Sequence, residues 1–134
     1  MRRLPIAALL AITLVTVPAA TLPAQPPQRI GPIRGGTVFL EPKSVQRKDG
    51  IISAALRVQF DQPSKVPGGT WYGSRTLLRL DCRKQLIAVT ENWYYSDAKG
   101  TQVAQHKVVG IPGYGTPLPG SMGRVALDHL CSTR

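Results

Sequence analysis

Between Ile51 and Phe60 apolar residues return at every second position. Ile52, Ala54, Leu56, Val58 and Phe60 share one side, and Ser53, Arg57 and Gln59 share the other. That alternation predicts a strand with one buried and one wetted face; a helix would repeat every three or four residues. From Ser74 to Tyr95 the pattern predicts two long strands joined by a tight basic turn at Arg83-Lys84. On the outgoing strand Tyr72, Thr76, Leu78 and Leu80 face one way, and Trp71, Arg75, Leu77 and Arg79 the other. The return strand sets Leu86, Ala88 and Tyr94 against Ile87, Val89, Trp93 and Tyr95. A strand apolar on both sides belongs in the middle of its sheet. Near the C-terminus the period changes. Ser121 offers a helix cap, and Met122, Val125, Ala126, His129 and Leu130 then recur at helical spacing, with Leu127 widening the stripe. So short a helix is marginal alone and must dock to persist.

Weaker signals fill the rest of the order. Thr37–Leu40 and Thr101–Val109 are further strand candidates. Lys43 to Gly50 is polar and closes on Asp49-Gly50, a turn dipeptide. Asp61 to Gly69, with two prolines and Gly68-Gly69, reads as a loop, and Ser96–Gly100 as a short hairpin loop. Gly110 to Gly120, rich in proline and glycine, is a surface crossing. Its Gly-Tyr-Gly lacks the Lys-Ser/Thr partner that a phosphate loop requires.

The first residues bear on compartment. Met1-Arg2-Arg3 precedes an uncharged apolar run, Leu4 to Val17, followed by small residues with Pro18 and Pro23 among them. This predicts a secretory signal peptide over 1–24; the run is shorter than the roughly 20 residues a membrane span needs. No cysteine lies near the cleavage region, so export to periplasm or cell surface without a lipid anchor is expected, with no transmembrane span in the mature chain. Residues 25–36, holding three prolines and three glycines, are expected as a flexible lead segment contributing little to a core, with one domain over 37–134. In an oxidising compartment Cys82 and Cys131 have one internal connectivity, predicting a disulfide between the hairpin turn and the final helix. Closing that loop is worth roughly 4 kcal/mol on the chain-entropy account.

The chain carries 17 Lys+Arg against 7 Asp+Glu; losing Arg2 and Arg3 with the leader leaves 15 against 7, a formal +8. Such a balance favours anionic surfaces without naming one. Catalytic chemistry is not legible. His106 and His129 lie at no metal-ligand spacing, the serines form no nucleophile elbow, and the seven carboxylates are dispersed. No enzyme activity, metal, cofactor or specific nucleic-acid partner is expected. The candidate binding surface is Arg57, Arg75 and Arg79 with Trp71 and Leu77 on one sheet face, extended by Arg83 and Lys84 at the turn. Arginines interleaved with an aromatic suit acidic protein segments or glycans.

Tyr72-Gly73-Ser74-Arg75-Thr76, then Leu80-Asp81-Cys82, then Trp93-Tyr94-Tyr95 before Gly100, then Pro119-Gly120-Ser121 leading to Leu130-Cys131, resemble the surface-adhesin protein E family of small exported bacterial proteins. The resemblance implies an α+β fold: a single antiparallel sheet, here of about five or six strands, with a C-terminal helix tethered by the disulfide. It further implies non-enzymatic binding to host extracellular-matrix or plasma proteins such as laminin, vitronectin or plasminogen, and possible homodimers. The alternative reading is a periplasmic structural protein attached to anionic envelope polymers.

Overall fold

The computed structural model describes residues 13–19 and 25–132. Most of the expected leader (1–12 and 20–24) lies outside them. Residues 13–19 carry no regular structure, and Leu14, Val15 and Val17 are exposed.

Seven strands form one antiparallel sheet: β1 (Gln28–Ile33), β2 (Gly36–Leu40), β3 (Gln46–Lys48), β4 (Ile51–Val66), β5 (Gly69–Asp81), β6 (Leu86–Tyr95) and β7 (Val103–Val108). Their spatial order is β1-β2-β4-β5-β6-β7, with β3 beside the start of β4. Among the described residues the one α-helix, α1 (Met122–Ser132), follows the last strand, and a single 3-10 turn spans Pro42–Ser44. The single sheet with a C-terminal helix is therefore the architecture the pattern implied. Residues 25–36 depart from expectation: Gln28–Ile33 is a strand, and Ile30 and Ile33 pack against the core. Asp61–Gly69 departs too, because β4 and β5 continue to a turn at Pro67-Gly68, carrying Pro63 inside an irregular stretch where four residues of β4 oppose Tyr72 alone. A proline is tolerated there because no ladder donor is needed.

Val38, Leu40, Ile52, Ala54, Leu56, Val58, Leu78 and Leu80 make one sheet face apolar and buried. Against it α1 lays Ala126, Leu127 and Leu130. The helix starts as its capping residue dictates: Ser121 Oγ accepts from Arg124 N at 3.2 Å. Its far end is held twice. Arg47 Nη2 donates to the Leu130 carbonyl, a cation at the negative end of the helix dipole. Cys131 is bonded to Cys82, Cα atoms 5.5 Å apart, 49 residues distant in sequence. Close approach to β1 is possible because Gly31 has no side chain; a Cβ there would stand 3.0 Å from Val125 Cγ1.

One irregularity decides which side chains share a face. In β6, Leu77 pairs with Glu91 but Leu78 pairs with Val89, so Thr90 is an extra residue. Thr90 Oγ1 donates to the Leu77 carbonyl, and its own carbonyl accepts from Val109 N. Because side chains alternate with period two, one inserted residue exchanges the faces beyond it. Ile87 and Val89 point to the helix side, whereas Glu91, Trp93 and Tyr95 point away. The uninterrupted alternation read from the sequence put Ile87, Val89, Trp93 and Tyr95 on one face, and the bulge corrects this by separating the first two from the last two.

Candidate functional site

The face away from α1 carries a cross-strand row. Arg29 pairs with Phe39, Phe39 with Arg57, Arg57 with Arg75, Arg75 with Trp93, and Trp93 with His106. Arg57 and Arg75 are thus directly opposed, a placement that destabilises like charges unless an anion intervenes. Glu41, just past β2, supplies it. Its Oε1 accepts from Arg57 Nε and from Arg75 Nε, both at 2.8 Å, and its Oε2 accepts from Arg75 Nη2 at 2.9 Å. The hydrogen bond from Arg75 holds the Glu41 carboxyl below its ordinary value near 4.5, with Arg57 adding to the effect and partial burial opposing it. The same bond raises the Arg75 pKa.

Aromatic rings hold the guanidinium groups from beneath. Arg75 Cζ lies 5.0 Å from the Trp93 ring centre and Arg57 Cζ 5.6 Å from that of Tyr95, both within cation–π range. Trp93 stacks on His106 at 4.7 Å, nearly parallel, and His106 Nε2 lies 3.0 Å from Glu91 Oε2. The side chains of Arg57 and Arg75 remain 35% and 25% exposed.

Beside Arg57 the face hollows into a recess of about 260 Å³, lined by Phe39, Arg57, Gln59, Tyr72, Tyr95 and Lys99. Gly73 contributes no side chain at its floor. A Cβ there would meet the Val58 carbonyl oxygen at 2.6 Å, so the tight backbone approach keeps the position open. The 96–100 turn forms one wall and is fixed by Asp97, whose carboxylate accepts from Thr101 N, Thr101 Oγ1 and Gln102 N. These bonds, that of the Thr101 hydroxyl first, lower the Asp97 pKa.

Of the residues singled out in the sequence, Arg57 and Arg75 come together. Arg79 is exposed, opposite Ser53 and Ala88, about 13 Å further along β5 at the usual strand rise. Arg83 and Lys84 are exposed beyond it, at the turn where their backbone amides bond Asp81 Oδ1. Leu77 faces the same side as Arg75 and Arg79. Trp71 does not join the arginines: it stacks on Tyr94 at 3.9 Å, and Tyr94 alternates with the Trp93 and Tyr95 that carry Arg75 and Arg57. Glu41, Trp93, Tyr95 and Phe39 were not singled out as site residues. A lone glutamate after a strand carries no signal, and the bulge hides which aromatics lie beside the arginines. Among the described residues no three His, Cys, Asp or Glu are grouped to hold a metal ion. His106 meets a carboxylate, but neither it nor Glu91 lines a described recess.

No curated protein matches the sequence. Among solved structures, crystal form II of Haemophilus influenzae protein E superposes with a TM-score of 0.58 at 12% identity, covering 90% of this chain and 97% of that one. A second structure of Haemophilus influenzae protein E gives 0.55 at 13% identity, covering 88% and 91%. Protein E from non-typeable Haemophilus influenzae gives 0.54 at 12%, covering 88% and 82%. At such identities the likeness establishes the fold. The family described as Surface-adhesin protein E matches residues 28–132, beginning at β1 and ending with α1, and the chain belongs to that family.

Proposed function

We propose that this protein is a non-enzymatic, exported adhesin that engages acidic protein or glycan partners through the sheet face opposite α1. The observation that carries this reading is the half-exposed row Arg57–Arg75–Trp93–His106, continued about 13 Å along the same strand face by exposed Arg79. Guanidinium groups braced on aromatic rings lose little freedom on binding and offer forked donors to carboxylates and sulfates. Family membership supports the adhesive role. Among the described residues no helix is long and apolar enough to cross a membrane, and the exposed Leu14–Val17 stretch is compatible with a leader removed on export.

Glu41 dictates how the face is tested. Reversing Arg75 would set a new carboxylate against Glu41 and disturb the fold, so the diagnostic change is Arg79→Glu with Arg83→Glu and Lys84→Glu, all at exposed positions. The triple variant is expected to melt like the wild type and to lose binding to immobilised matrix proteins. Wild-type binding is expected to weaken as salt rises, because exposed charges are screened beyond about 10 Å at 0.1 M. Binding that survives both the substitutions and high salt sinks the proposed face.

A further inference from the structure

We infer that the recess beside Arg57 is a subsite for one carboxylate-bearing sugar ring, such as a uronic acid at the end of an acidic glycan. This rests on the reading of the sheet face as a binding surface and narrows it from acidic partners in general to a saccharide.

Three observations select the ligand. The first is size. About 260 Å³ is below the roughly 300–1,000 Å³ of drug-sized sites, so the hollow admits a single ring rather than a chain. The second is charge. Arg57 spends only Nε on Glu41, leaving the four N–H groups of Nη1 and Nη2 without a protein partner among the described residues. Its Nη1 stands at the recess wall, 3.1 Å from where a Gly100 Cβ would be, and Lys99 lies exposed on the adjoining turn. Asp97 lines the recess as well, but both its oxygens accept hydrogen bonds from Thr101 and Gln102, which ties its charge to the turn.

The third is the mixture of ring faces and polar groups. Phe39, Tyr72 and Tyr95 supply flat apolar walls, while the Gln59 amide and the Tyr72 hydroxyl have no protein hydrogen bond among the described residues. A pyranose satisfies both, with its apolar face on a ring and hydroxyls at the rim. A flat hydrocarbon anion would leave the rim unpaired. A peptide is disfavoured on different grounds: the recess lies over β4, β5 and β6, each paired on both sides, so no free strand edge offers backbone bonds.

The test uses the protein with methyl glucuronide, methyl glucoside, benzoate and a short acidic peptide, each followed by amide chemical shifts. Glucuronide is expected to shift Gly73 and Gly100, and glucoside to bind about tenfold more weakly, the worth of one charge-assisted bond. Arg57→Gln and Lys99→Gln are each expected to weaken glucuronide by a similar factor. Lys99 is on an exposed turn, so its variant reports even if Arg57→Gln perturbs the Glu41 cluster. Equal binding of glucoside, tighter binding of benzoate or of a short acidic peptide, or the absence of shifts at Gly73 and Gly100 each overturn the inference. Should those failures occur while the Arg79→Glu triple variant still loses matrix binding, the saccharide subsite falls and the adhesin reading stands. Loss of the matrix result alone removes the adhesin reading and leaves the sugar site intact.

Discussion

Glu41 is the residue on which the site's geometry turns. Two arginines forced opposite each other by strand register stay together because one carboxylate bonds both. Glu41→Gln leaves the two cations facing each other and is expected to lower stability by about 1–3 kcal/mol near neutral pH, measured by urea unfolding. The pH dependence has a fixed sign. The Glu41 pKa is lowered on folding, so its contribution is complete above the unfolded value near 4.5 and is lost as pH falls through the lower folded value. The gap between wild type and Glu41→Gln should therefore close in acid. Equal stability of the two proteins at pH 7 would show that the cluster is only a solvated surface pair.

At the scale of elements, α1 depends on what holds it. Its eleven residues are too few to be helical in isolation, and one apolar stripe, the Arg47 contact and the disulfide keep it on the sheet. Replacing both cysteines by serine is expected to cost roughly 3–4 kcal/mol, and hydrogen exchange should quicken first in α1 rather than in β4 or β5. Uniform exchange acceleration across the sheet would contradict that order. The bulge at Thr90 acts at the same scale. It lets one strand contribute Ile87 and Val89 to the core and Trp93 and Tyr95 to the opposite face.

At the scale of the whole molecule, the two ends of the main strand order, β1 and β7, are treated differently. β1 is backed by α1, through the contact of Gly31 with Val125. β7 is open: all six of its residues are exposed, including Val103 and Val108. An open edge invites pairing with another chain, and a charged residue on it discourages this. Lys107→Val is expected to increase concentration-dependent association, read by light scattering after size exclusion, whereas Lys107→Glu should leave it unchanged. If Lys107→Val stays at the wild-type mass at high concentration, β7 is not the vulnerable edge.

Period alone determined much of this protein. Alternation from Ile51 to Phe60 and in β5, the helical stripe after Ser121, and the single pairing open to Cys82 and Cys131 are local or combinatorial facts, so the sheet, the helix and their tether were legible from residues. What the tertiary structure decided was every relation that depends on register. The insertion of Thr90 reverses which aromatics face the arginines. The irregular stretch opposite Tyr72 carries Trp71 onto Tyr94 and away from them. Ile30 and Ile33 earn a place in the core only because β2 is there to pair with. Glu41 becomes the hub of the site only when strands far apart in sequence bring two positive charges within reach of one carboxylate. A chain writes its alternation locally, but a one-residue slip costs it nothing until neighbouring strands and a packed face fix the count.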